Sequence, residues 1–121
     1  MLVLGIALAG AVGAPTRYLV DGVVAERTGT GLPVGTFLIN VTGSVLLGVL
    51  TGLALYHAFP STPKTILGTG FCGAYTTFST FTYETVRLAE EGARRSALRM
   101  LLASLVVPAL AAALGLALAA L

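Results

Sequence analysis

Long apolar runs separated by short polar clusters make up most of this chain. Three stretches carry no charged residue: Thr28 to Pro63, Thr65 to Tyr83, and Met100 to Leu121. Each is long enough to cross a bilayer, since about 20 apolar residues at a rise of 1.5 Å span a hydrocarbon core of ~30 Å. The pattern predicts four helical spans in one membrane domain, residues 1–121. They cover roughly 2–24, 33–57, 64–91 and 95–120. Glu26-Arg27-Thr28-Gly29-Thr30-Gly31 ends the first, Pro33 opens the second, and Phe59-Pro60-Ser61-Thr62-Pro63 separates the second from the third. Short connections favour an up-and-down bundle, an all-α fold.

Composition agrees. Of 121 residues, 56% are hydrophobic and 10% charged, and the mean hydropathy is +0.94, far from an ordinary soluble globule. A net charge of +2, with no basic run longer than Arg94-Arg95, leaves no footprint for nucleic acid. Cys72 is the single cysteine and His57 the single histidine. Neither has a companion for metal binding or acid-base work, so enzyme chemistry is not expected. Leu2 to Val12 has the length of a signal-peptide core, but no Lys or Arg precedes it, so it reads as a span rather than a leader.

Small residues recur four apart: Gly5, Ala9 and Gly13; Ser44, Gly48 and Gly52; Ala111, Gly115 and Ala119. Such stripes are packing faces that let membrane helices approach closely, and Pro108 is a candidate kink in the last span. Four packed helices leave little room for a pathway between them, which favours an oligomer. Arg27, Arg94 and Arg95 occupy one side of the bundle with Arg17, Arg87 and Arg99 close by, while the other has Lys64 alone. By the positive-inside rule this count places both termini outside.

The third span has its own character. From Thr65 to Tyr83 it holds seven Ser/Thr residues, two tyrosines and three glycines. β-Branched residues and glycine at this density make poor helix, so a break near 73–77 is expected. Irregular backbone at membrane depth is tolerated only where protein, water or an ion satisfies it. Freed carbonyls suit a monovalent cation and freed N–H groups an anion. The competing reading is a continuous helix whose hydroxyls bond back to their own carbonyls.

Phe78 and Phe81 share a helix face, either as plain packing or with their positive ring edges turned to an anion. Asn40, the one amide side chain, is interhelical glue or a neutral donor in a pathway. Arg17 stands four before Asp21, which invites an intrahelical pair or an interfacial anchor, with a vestibule role as the alternative. Glu84 and Arg87 invite a similar pair at the end of the third span.

At these residues the sequence closely resembles the Fluc (CrcB) family of fluoride channels over nearly its whole length. The carrying motifs are Gly13-Ala14-Pro15-Thr16-Arg17-Tyr18, then Pro33-Val34-Gly35-Thr36-Phe37-Leu38-Ile39-Asn40-Val41-Thr42-Gly43-Ser44, and Gly70-Phe71-Cys72-Gly73-Ala74-Tyr75-Thr76-Thr77-Phe78-Ser79-Thr80-Phe81 with Glu84. The resemblance implies passive export of cytoplasmic fluoride across the cell (inner or plasma) membrane, through two pores of an antiparallel, dual-topology homodimer. It also implies a sodium ion at the dimer centre, held by main-chain carbonyls of Gly73 and Thr76. Phe78, Phe81 and Asn40 would match the family's pore residues and Arg17 its first-helix arginine. Thr77, Ser79, Thr80, Glu84 and, in the last span, Ser104 would match its polar track and vestibule.

Three features depart from that pattern. Ala74 and Tyr75 stand where the family more often has Gly and an apolar residue, Ser104 is the only hydroxyl after Arg99, and the Arg-rich side conflicts with dual topology. The motifs are given precedence over the charge count. A small multidrug-resistance transporter is disfavoured because Met1 to Thr16 lacks the membrane carboxylate it needs. A non-transporting assembly subunit would explain the small-residue stripes but not the hydroxyl-rich span.

Overall fold

A computed structural model describes all residues, Met1 to Leu121. The fold is all-helical, without strands. Helix α1 spans Leu2–Thr28, α2 Val34–Tyr56 and, last in the chain, α5 Arg94–Ala119. These three are long and apolar enough to cross a membrane. Between α2 and α5 lie two shorter pieces. The first, α3 (residues 61–75), runs as α-helical Ser61–Thr65, π-helical Ile66–Cys72 and α-helical Gly73–Tyr75; the second, α4, spans Phe78–Glu90.

Several boundaries depart from the sequence reading for local reasons. Helix α1 continues through Asp21 and Gly22 to Thr28, where Gly29 takes the left-handed conformation (φ 55°) and returns its N–H to the Ala25 carbonyl at 3.2 Å. The helix therefore outruns the apolar part of its span. Neither Pro15 in α1 nor Pro108 in α5 ends its helix. Gly73 is helical, and the extended backbone is confined to Thr76 (φ −79°, ψ 160°) and Thr77 (φ −151°, ψ 124°). β-Branched residues, rather than glycine, occupy the strand-like positions.

Packing runs along two seams. On the first, α1 lies parallel to α3: Gly13 meets the Phe71 carbonyl, Gly70 meets Ile6 and Ala9, and Gly5 meets Ile66. On the second, α2 lies parallel to α5: Gly48 sits against the Ala112 carbonyl, Gly52 against Leu116 and Ala119, and Gly115 against the Val45 carbonyl. A Cβ at Gly48 or Gly115 would collide with backbone, so only glycine allows this approach. Close packing replaces the hydrophobic effect, which lipid tails remove as a drive for association. Outward positions such as Leu4, Leu8, Val12, Leu110 and Leu114 remain exposed, as a lipid-facing surface requires. At the far end, His57 Nε2 lies 2.8 Å from the Ala119 carbonyl and ties α2 to α5.

Candidate functional site

The site is built around the two extended residues between α3 and α4. Extended backbone cannot satisfy its own polar groups, so α2 and α1 supply partners. Asn40 Nδ2 donates to the Thr77 carbonyl at 2.9 Å, and the Thr77 N–H donates to Asn40 Oδ1 at 2.8 Å. One donor of the amide stays uncommitted. Arg17 Nη1 donates to the Thr76 carbonyl at 3.3 Å. The Thr76 N–H and hydroxyl both return to the Cys72 carbonyl, at 2.9 and 2.8 Å.

Thr77 then starts α4. Its Oγ1 accepts the Thr80 N–H at 3.2 Å, an N-cap that fills one of the orphan donors of a helix start. The Thr77 hydroxyl also donates to Thr80 Oγ1 at 3.1 Å and lies 3.3 Å from Ser79 Oγ. The cap directs the first turn of α4, and with it the two phenylalanines. Phe78 is 71% exposed and Phe81 only 4%; their rings lie 5.7 Å apart at 65°, edge to face.

Three cavities line up along this construction. The first, about 280 Å³, is bordered by Asn40, Ser44, Gly73, Thr76, Thr77, Phe78, Phe81 and Ser104. The second, about 150 Å³, is bordered by Arg17, Asp21, Thr36, Thr77 and Thr80. A third, about 360 Å³, lies at the α1–α2 connection with Asp21, Glu84 and Arg87 on its wall. Thr77 borders the first two and Asp21 the last two, so the cavities form one row. Ser79 is exposed and borders none of them.

Two expected ion pairs do not form. Arg17 reaches the Thr76 carbonyl instead of Asp21, because the extended residue offers an acceptor that no helical N–H occupies. Arg87 pairs with Glu91 (3.5 Å), not with Glu84. Glu84 Oε2 is buried without a hydrogen-bond partner, in a setting shared with Thr36, Asp21 and Arg87. Thr36, 3% exposed, was not singled out by the sequence reading. The signal was present: Thr36, Asn40 and Ser44 are spaced four apart and make a polar stripe on α2.

For a cation at the interruption the donor set is main-chain oxygen. Gly73 is exposed and no turn or loop hydrogen bond ends on its carbonyl. The Thr76 carbonyl keeps one lone pair beside its bond to Arg17. These hard oxygens fit sodium in kind.

Comparison with known proteins gives the same direction. The family model described as "CrcB-like protein, Camphor Resistance (CrcB)" matches residues 4–116. A relative from Leifsonia xyli subsp. xyli, named "Fluoride-specific ion channel FluC 1", is 52% identical over 98 residues, covering 81% of this chain and 72% of its own. One of the same name from Frankia casuarinae is 49% identical over 114 residues, covering 90% and 88%. "Fluoride-specific ion channel FluC 2" of Cutibacterium acnes is 45% identical over 119 residues, covering 98% and 97%.

Proposed function

The chain belongs to the CrcB-like family, and on that premise we propose that it is a fluoride-specific ion channel, a multi-pass membrane protein through which fluoride leaves the cell passively. The observation that carries this reading is the first cavity. There the exposed Phe78 ring, the Phe81 ring, the Asn40 amide and Ser104 face one space beside the extended Thr76 and Thr77.

Fluoride is small and strongly hydrated, so a path for it must replace its water shell with donors while holding it loosely enough to move on. The free Asn40 N–H and the hydroxyls of Thr80 and Ser104 supply neutral donors; the Thr77 hydroxyl, whose proton goes to Thr80 Oγ1, orients Thr80, and Ser79 acts through Thr77. Ring edges of Phe78 and Phe81 add a weak positive potential without a full charge. Arg17 draws anions toward the second cavity, and Glu84 lines the vestibule. Chloride is larger, and a narrow site does not compensate its dehydration.

In this reading residues 61–90 are one crossing, interrupted at Thr76 and Thr77, and the chain has four spans. Two copies in opposite orientations close the pathway. Support comes from Phe78, whose exposed ring beside an open cavity calls for a covering partner. The Gly73 and Thr76 carbonyls of both copies would hold a sodium ion, which supplies positive charge for four oxygens that would otherwise repel one another.

The test is fluoride handling in living cells. In bacteria stripped of fluoride export, expression of this chain is expected to restore growth in fluoride medium and lower cytoplasmic fluoride. Growth inhibition equal to the empty-vector control would contradict the proposal.

A further inference from the structure

Tyr75 is buried at 8% exposure immediately before the interruption. Its hydroxyl oxygen lies 2.9 Å from Thr42 Oγ1 on α2. The direction of this bond follows from proton counting. Thr42 has one hydroxyl proton and points it at the Leu38 carbonyl, 2.8 Å away, with the Ile39 carbonyl at 3.2 Å. Tyr75 O–H is therefore the donor and Thr42 Oγ1 the acceptor. The Tyr75 ring stacks on Phe71, with centroids 5.5 Å apart at 14°. The ring also packs against Gly43, where an added Cβ would stand 3.2 Å from Tyr75 Cδ1 and closer still to Thr76 Cγ2.

One turn of α2 thus holds three successive residues of the interruption: Thr42 holds Tyr75, Gly43 receives Thr76, and Asn40 binds Thr77. We infer that the Tyr75–Thr42 hydroxyl pair is a positioning element for the ion path, fixing the last helical residue of α3 so that Thr76 and Thr77 turn extended at the correct distance from α2. Neither hydroxyl borders the three cavities, so the pair acts through the backbone and not on the ion. The inference rests on the channel reading above. If α3 slips relative to α2, the Asn40 amide and the Phe78 and Phe81 rings no longer converge. The space between them then loses the narrowness that separates fluoride from chloride.

The test uses full-length protein in liposomes, with fluoride and chloride release measured in the same preparation. The parent chain reports first on the channel reading, since absence of fluoride release from it defeats that reading before any variant is compared. With the parent active, Tyr75→Phe is expected to slow fluoride release about five-fold, the worth of one hydrogen bond, and to raise chloride release relative to fluoride. Thr42→Val should show the same change. Tyr75→Phe with Thr42→Val should be no worse than either alone, because each removes the same bond. Thr42→Ser keeps the acceptor and should behave as the parent. Parental rates and selectivity in both single variants would overturn the inference. So would a loss of flux that follows only the amount of folded protein, with the fluoride-to-chloride ratio unmoved.

Discussion

The side chain of Asn40 does for Thr77 what a neighbouring strand would do, accepting its N–H at 2.8 Å and donating to its carbonyl at 2.9 Å. A single amide thereby satisfies both polar groups of an extended residue for which lipid offers no partner. Aspartate has the same shape but no donor. Asn40→Asp is expected to turn the donating contact into an oxygen–oxygen repulsion and to cut fluoride flux at least about ten-fold, the loss of a buried hydrogen bond together with a misplaced charge. Ion-selective electrode recordings of vesicle efflux check this.

The two phenylalanines should separate structure from transport. Phe78 is 71% exposed in the single chain, so Phe78→Ile is expected to lower thermal stability in detergent less than a change at Phe81 while slowing flux. Phe81 is buried, and Phe81→Ala should lower stability as well, toward the roughly 3–5 kcal/mol seen for large-to-small changes in packed cores. Equal stability loss in both variants would argue against this division.

Much of this arrangement was legible in the residues, but not all of it. Apolar runs marked α1, α2 and α5 because hydropathy depends only on composition along the chain. Poor helix formers marked the neighbourhood of Thr76 and Thr77, yet Gly73, the first residue of the expected break at 73–77, is helical. Ile66–Cys72 is π-helical and seats Gly70 against Ile6 and Ala9, a contact no local spacing encodes. The i,i+4 spacing of Arg17 and Asp21 leaves an intrahelical pair, an interfacial anchor and a vestibule role all open, and only the fold brings the Thr76 carbonyl within reach of Arg17. Thr36 stayed hidden because Ser44 was counted with Gly48 and Gly52 as a packing stripe, which masked the polar stripe Thr36, Asn40 and Ser44.

The seam between α2 and α5 makes a stability prediction. Gly48→Ala places a methyl group against the Ala112 carbonyl and is expected to destabilise the fold by about 1–3 kcal/mol, as overpacking does. Gly22 has no atom within 4 Å of an added Cβ and lies inside α1, so Gly22→Ala should stabilise by ~0.5–1 kcal/mol. Denaturant titration in detergent distinguishes the two, and like signs would contradict the packing described.

Sodium removal bears on the proposed carbonyl site. Exchange for a large organic cation should leave the Gly73 and Thr76 oxygens of the two proposed copies uncompensated and convert the proposed dimer into single chains. Light scattering of the purified protein in each salt reads this directly. A mass independent of sodium would remove the ion from the account.

Efflux from liposomes loaded with both halides tests the central claim most directly. On reconstitution of the purified chain, fluoride should escape while chloride is retained, and Phe78→Ile should slow the escape without altering reconstitution. Retention of fluoride to the level of protein-free vesicles, or equal release of both halides, would contradict a selective fluoride path at the Thr76–Thr77 interruption.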